Sequence, residues 1–406
     1  ADGAEPDQWP IRVLAGVRFQ QALSAIDDGR LDDAMRFLTQ SELRYRSLED
    51  SGAEVDKARL GLATTLSTMC RACQSMGDSE AARRHIEQAI KLQEELATRH
   101  PDVPIYLDGL ATSFIELANL YRVNGEPAED AYRGALAAYD ALVQARPEIP
   151  RYRFNRATAQ LNLAWLLNQQ ELPAESQAQA VAGINEFIGL AGDYPEDVRY
   201  TAGEAAGRVI VAEVLRDHGD RENSLAMLEI AIQELAGLGQ DARPQDFLQR
   251  AVAVSLLAST RGAASEVSTD EQRATAVPLF DAAGELFEDL LASDSPLPRE
   301  RDAAAWNDFR RAQHLSSAGD SAAATAAMQL ALSRFEAPPE NAVFLEHIAW
   351  FLLQSPDPDL RDVAVAVDLL ERALKLAPRN VRCLETSALA HLRQGDVNTA
   401  RERLRT

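Results

Sequence analysis

Cys70 and Cys73 form a Cys-x-x-Cys, a spacing shared by zinc sites and dithiol redox sites. A structural zinc needs four ligands, and the remaining thiol, Cys383, lies near the other end of the chain. Buried helix contacts are therefore the reading favoured for both thiols. The histidines, His85, His100, His218, His314, His347 and His391, include no pair spaced as metal ligands on one helix face. His-Glu-x-x-His, Gly-x-Ser-x-Gly and Gly-Lys-Ser/Thr do not occur. The Asp-rich run Pro356-Asp-Pro-Asp-Leu-Arg-Asp362 reads as a turn with Asp362 capping the next helix. Carboxylates number 63, so any pair is more readily a solvated face than an acid/base couple. The chain is thus read as non-catalytic, with no metal and no cofactor.

The elements that carry these residues are constrained by composition. Hydrophobic residues make up 46% and aromatics 6%, a balance unlike a disordered chain and poor in the aromatics a β-sandwich favours. The formal charge is −22, from 41 basic and 63 acidic residues, so no nucleic-acid partner is expected. The longest obvious apolar run, Ala251–Ala258, is far too short for a membrane span. The chain opens at Ala1 in a polar stretch and stops at Arg405-Thr406 without a closing helix, the expectation for a piece of a longer protein.

Prolines recur at 101, 147, 195, 244, 296, 338 and 378, with gaps of 46, 48, 49, 52, 42 and 40 residues. Between them lie two helix-period segments, and each proline is read as closing a unit. A second ladder pairs a glycine with an alanine five residues later: Gly29/Ala34, Gly77/Ala82, Gly319/Ala324 and Gly395/Ala400. Gly125 and Gly219 occupy the same place, with Ser224 replacing the alanine after Gly219. Glycine can end one helix in a left-handed conformation, and a small residue lets the next helix approach closely. Alanines seven apart, Ala82/Ala89 and Ala366/Ala373, extend that small stripe.

These offsets resemble the tetratricopeptide (TPR) repeat over nearly the whole chain. The clearest matches are Leu117-Ala-Asn-Leu-Tyr121 before Gly125, and Ala366…Ala373-Leu374…Ala377-Pro378. The resemblance implies an all-α, TPR-like α-solenoid, a right-handed superhelix of helix–turn–helix repeats. Most units exceed the usual 34-residue period, so a HEAT- or armadillo-like superhelix is the second reading. The expected organisation is an N-terminal repeat at 1–52, regular long repeats at 53–243, an irregular repeat at 244–296 with a mobile loop at 262–270, and further repeats at 297–406. Pro104-Ile-Tyr-Leu-Asp-Gly-Leu-Ala-Thr-Ser and Pro150-Arg-Tyr-Arg-Phe-Asn-Arg-Ala-Thr-Ala recur 46 residues apart. With the 348–362 stretch they resemble the TPR regions found C-terminal to the catalytic domain of large bacterial serine/threonine protein kinases. The chain itself has no catalytic His-Arg-Asp and no Asp-Phe-Gly.

In a TPR array the first helix of each repeat lines the concave face. Aligned on the turn glycines, its outward positions are Thr68 and Arg71, then Glu116, Asn119 and Arg122, then Asn162, Trp165, Asn168 and Gln169, then Glu213 and Arg216. Side-chain amides pair with peptide groups and a tryptophan anchors an apolar side chain, so the expected ligand is a protein or peptide. The same asparagines could instead bridge neighbouring helices, with Trp165 filling core. Asn119 and Asn162 stand where chaperone-binding TPR domains place two asparagines of a carboxylate clamp. Ile115, Ala206 and Ile210 stand where the clamp cations belong, which argues against such a clamp. Residues 371–406 hold eight Lys/Arg against four acids, read either as an acidic-partner patch or as helix C-terminal cations.

The expected function is a protein- or peptide-binding scaffold, the interaction region of a larger bacterial signalling protein. The alternative is the regulatory region of a serine/threonine kinase whose catalytic domain is not in this chain. Self-association through the end repeats is a third possibility. The expected location is cytoplasmic, or else the soluble part of a membrane-anchored or exported bacterial protein.

Overall fold

The computed structural model describes residues 9–52, 54–124, 126–239, 242–262, 269–292, 298–335, 342–355, 358–378 and 380–404. Most of the loop expected at 262–270, the turn residue Gly125, and Pro296, Pro338 and Pro356 lie outside the described residues, as do both chain ends. The described residues form helices and no strand. In chain order the α-helices are α1 (Trp9–Asp27), α2 (Leu31–Asp50), α3 (Val55–Ser75), α4 (Ser79–Arg99), α5 (Pro104–Asn124), α6 (Glu129–Ala145), α7 (Pro150–Gln169), α8 (Pro173–Asp193) and α9 (Val198–Asp217). There follow α10 (Arg221–Gly237), α11 (Pro244–Gly262), α12 (Thr269–Leu291), α13 (Pro298–Ser317), α14 (Ser321–Phe335), α15 (Ala342–Gln354), α16 (Val363–Leu376), α17 (Val381–Gln394) and α18 (Val397–Arg403).

The punctuation of these helices follows from a few residue types. Gly29, Gly77, Gly219, Gly319 and Gly395 all take positive φ, between 71° and 84°, and turn the chain between paired helices. An aspartate follows four of them and caps the next helix. Asp78 accepts from the Ala81 amide at 2.9 Å, Asp220 from Asn223 at 3.3 Å, Asp320 from Ala323 at 3.2 Å and Asp396 from Thr399 at 3.1 Å. Asp362 caps α16 in the same way, accepting from the Val365 amide at 2.9 Å. Pro101, Pro147, Pro195 and Pro378 each sit just beyond a helix end, as their spacing predicted. Pro244 instead opens α11, where its missing N–H is no loss in the first turn.

The ladder alanines are fully or almost fully buried: Ala34, Ala82, Ala324 and Ala366 at 0% exposure and Ala400 at 2%. Where serine takes that place its hydroxyl finds a carbonyl across the helix pair. Ser176 Oγ donates to Ala164 O and Ser224 Oγ to Ala212 O, both at 2.7 Å. A small side chain and a satisfied hydroxyl thus solve the same close approach.

The chain divides into two compact units, Ala1–Leu163 and Ala164–Thr406. In the first, α1 packs on α2, α3 on α4 and α5 on α6, and the first helices α1, α3 and α5 also touch in succession. Its core is aliphatic, around Leu38, Leu62, Leu66, Ile86 and Leu96. In the second unit α9, α11, α13, α15 and α17 touch in succession, each backed by the helix that follows it. Its core is richer in aromatics, with Phe187, Phe280, Phe287, Phe309 and Phe344 at 2% exposure or less. Each unit is therefore a TPR-like stack of helix–turn–helix pairs in which the first helices share one face.

Candidate functional site

In the first unit that face is a row of polar residues on α3 and α5. Arg71 Nε lies 3.6 Å from Glu116 Oε1, linking the two helices. Glu116 is poorly compensated: its Oε2 has no hydrogen-bond partner, and burial pushes its carboxyl up to about 7 against the opposing pull of Arg71. Asn119 Oδ1 accepts from the Tyr132 hydroxyl of α6 at 3.1 Å, so this amide bridges helices within its own repeat. Arg122 is exposed and lies beside the same tyrosine. Thr68 is buried and turns its hydroxyl onto the Thr64 carbonyl at 3.0 Å, which removes it from the outward row. Asn162, on the part of α7 in this unit, is half-buried.

In the second unit Trp165 is half-buried and engaged by its surroundings, and Gln169 is exposed. Asn168 is buried, and its Nδ2 donates to Asp217 Oδ2 at 3.1 Å, tying α7 to α9. Arg216 turns onto the neighbouring Asp217 at 2.7 Å. Glu213, one turn before Arg216, has no ion pair among the described residues. Burial raises its pKa, while the charges of Arg216 and Arg310 oppose that rise.

Further along the same face lie residues that the repeat alignment had not singled out. Arg310 on α13 donates from Nη1 to Ser255 Oγ of α11 at 3.3 Å and sits 5.7 Å from the Trp306 ring centroid. Trp306 stands edge-on to Phe344, with centroids 4.8 Å apart, and to His347 at 5.1 Å, both on α15. Beyond it, Glu346 is buried and accepts from Thr386 Oγ1 of α17 at 2.7 Å. Arg382 Nη2 approaches the other oxygen of Glu346 at 3.4 Å. A signal was available: Arg310 stands nine residues before Gly319, the offset of Glu116 from Gly125. Gly319 belongs to the glycine–alanine ladder, so that offset already pointed to Arg310 in the sequence.

Cys70 and Cys73 face inward at 0% and 4% exposure, the packing positions expected of them. Burial pushes the Cys70 thiol up to about 12 and raises Cys73 as well, so neither is a thiolate at neutral pH. No group of three or more potential metal ligands clusters among the described residues. Nor is any described helix long and apolar enough to cross a membrane.

No protein-family model matches the chain, and no curated protein is similar to it in sequence. Solved structures do resemble it. The apo form of RapI superposes with a TM-score of 0.52 at 12% identity, over 79% of this chain and 97% of that one. A Rap protein complexed with competence and sporulation factor gives 0.49 at 13% identity, over 96% of both chains. BtubC from P. vanneervenii gives 0.46 at 17% identity, over 65% of this chain and 94% of that one. The likeness is one of fold. With the helix pairing described above, it bears out the TPR-like α-solenoid.

Proposed function

We propose that the chain is a non-catalytic scaffold whose first helices bind a protein or peptide. The observation that carries this reading is that each unit, taken by itself, sets polar and aromatic residues on the shared face of its first helices: Arg71 and Glu116 in one, and Glu213, Trp306 and Arg310 in the other. Side chains that reach across several helices of a stack offer a peptide repeated contacts without any catalytic set. The net charge of −22 favours a protein over a nucleic acid, whose phosphates it would repel. The residues proposed for contact are Arg71, Glu116, Asn119, Arg122 and Asn162 in the first unit and, taken separately, Trp165, Asn168, Gln169, Glu213 and Arg216 in the second. On the kinase-like phrases at 104–113 and 150–159, we place the scaffold in a larger bacterial signalling protein. The second reading is the regulatory region of a serine/threonine kinase.

The test is selection of a random-peptide library on the full chain, followed by titration of the enriched peptides against two sets of variants. Substitutions on first helices, such as Glu213→Gln and Arg71→Ala, are expected to weaken binding. Substitutions of exposed second-helix residues, such as Gln88→Ala and Arg133→Ala, are expected to leave it unchanged. Binding that responds only to the second set overturns the reading.

A further inference from the structure

We propose that the second unit carries a charge-selective peptide groove centred on Arg310 and Glu213, which takes a segment bearing a carboxylate for Arg310 and a basic group for Glu213. This rests on the scaffold reading above and names the chemistry of its ligand.

Arg310 is placed by its neighbours. Its guanidinium bonds Ser255 on α11 and covers Trp306 on its own helix α13. The contact with Ser255 places Arg310 on the side of α13 that faces α11, with Glu213 on α9 and His347 on α15 near enough to feel its charge. Burial lowers its pKa to about 10, and Glu213 only partly offsets that desolvation.

The charge of Arg310 has no carboxylate partner among the described residues. It differs from the likewise unpaired Arg221, Arg250, Arg361 and Arg393 in lying over Trp306, with Glu213 near enough for the two charges to act on each other. Elsewhere in the unit Arg208 pairs with Glu204 and Glu234, Arg334 with Asp308 and Glu288, Arg261 with Glu229 and Arg382 with Glu346. The chain holds 63 carboxylates against 41 basic residues, so acids to pair with an inward arginine were plentiful. Yet no carboxylate lies within ion-pair distance of Arg310 among the described residues, and one of its five N–H donors is used, on Ser255. Glu213 is its counterpart: half-buried, near two arginines, paired with neither. Partly desolvated charges left without partners are costly, and a ligand that brings both complements relieves both at once.

The geometry selects the ligand. A guanidinium fork matches a carboxylate in bidentate fashion, and a carboxylate takes ammonium or guanidinium donors. The two groups reach in from helices on either side of α11, so one ligand must span a strip rather than fill a closed pocket. An extended peptide does so.

The probes are a random-peptide library and a short fluorescent peptide with glutamate and lysine two residues apart, beside its glutamine-for-both control. They are applied to the full chain and to Arg310→Gln, Arg310→Lys and Glu213→Gln, with circular dichroism confirming each fold. The expected result is enrichment of acid-plus-base sequences and binding of the charged probe over the control. Arg310→Gln and Glu213→Gln should each weaken that binding about tenfold or more, and Arg310→Lys less. If Arg310→Gln perturbs the fold, Arg310→Lys and Glu213→Gln decide in its place. Library peptides that bind but ignore these variants within twofold overturn the groove and leave the scaffold reading standing. A library with no binder at all overturns both.

Discussion

Arg71 and Glu116 approach to 3.6 Å between α3 and α5, yet this contact leaves one oxygen of Glu116 without a hydrogen bond and its carboxyl easier to protonate than in water. A pair that connects two first helices is therefore also a point of electrostatic cost. The cost is pH-dependent. Below the ordinary glutamate range both folded and unfolded chains carry a proton here, and the site is neutral. Between about 4.5 and about 7 the folded chain holds the proton more tightly, so stability falls as pH rises; above that the penalty is constant. Glu116→Gln removes the charge and keeps the shape. It is expected to raise stability by about 1–3 kcal/mol at pH 8 and to change it little at pH 4. Urea titrations at the two pH values check this, and an equal effect at both would contradict it.

Five turn glycines adopt positive φ, and at the corresponding place between α7 and α8 stands Glu171, with φ of 60°. A side chain in this region is strained where glycine is not. Glu171→Gly is expected to stabilise the chain, or at worst leave it unchanged. The relief of about 1 kcal/mol is partly offset by the freer glycine in the unfolded state. Thermal unfolding of the variant gives the sign, and a clear loss of stability would show that the Glu171 side chain holds the turn.

The same ladder shows what was legible in the chain and why. The Gly29, Gly77, Gly219, Gly319 and Gly395 turns and the buried alanines were readable because a turn and a close approach are local demands with few residue solutions. Asp362 as a cap was readable for the same reason, and the repeated Gly-Asp at 77, 219, 319 and 395 carries the same local signal. The outward faces of the helices were legible in part: Arg71, Arg122 and Gln169 are exposed, whereas Thr68 and Asn168 are buried. Asn168 looks free in sequence; whether it meets Asp217 depends on how α7 stacks on α9. Arg310 and Ser255 are 55 residues apart, and their contact depends on the path of the irregular stretch between α11 and α13, which no periodicity encodes.

Packing density in the second unit supplies another test. Gly203 on α9 faces the fully buried Phe187 of α8, and a Cβ built there runs into the phenyl ring. Neither the ring nor the helix has room to yield within a packed core. Gly203→Ala is expected to destabilise by about 1–3 kcal/mol despite alanine's better helix propensity. Chemical denaturation of this variant beside Gly192→Ala, where the space is open, separates the clash from the propensity. Equal behaviour of the two would remove the clash from the account.

Cys70 and Cys73 provide a chemical readout of the first unit. Both thiols are buried and protonated at neutral pH, so an alkylating reagent reaches them only when α3 opens. Iodoacetamide is expected to label them at a rate limited by opening, many times slower than in urea-unfolded chain. Labelling at the unfolded rate in native buffer would mean that the dithiol is accessible and its reactivity open to use.

The sharpest test of the sequence-derived contact set is Trp165, half-buried on α7 one turn before the Asn168–Asp217 bridge. Two roles make opposite demands on it. As a binding anchor it exposes enough ring to be covered by a ligand, and truncation costs about 2–4 kcal/mol of binding with the fold intact. As packing it is covered by its own chain, and truncation leaves a cavity that costs about 3–5 kcal/mol of stability. Asn168→Ala provides the companion measurement, because its amide already bonds Asp217 and its loss frees that carboxylate, at a cost of about 1 kcal/mol in stability. We expect Trp165→Ala to weaken the peptides selected on the full chain by tenfold or more while the helical signal and unfolding midpoint stay close to those of the parent. Binding unchanged within twofold would take Trp165 out of the contact set, and a collapsed midpoint with lost helix content would assign it to the core.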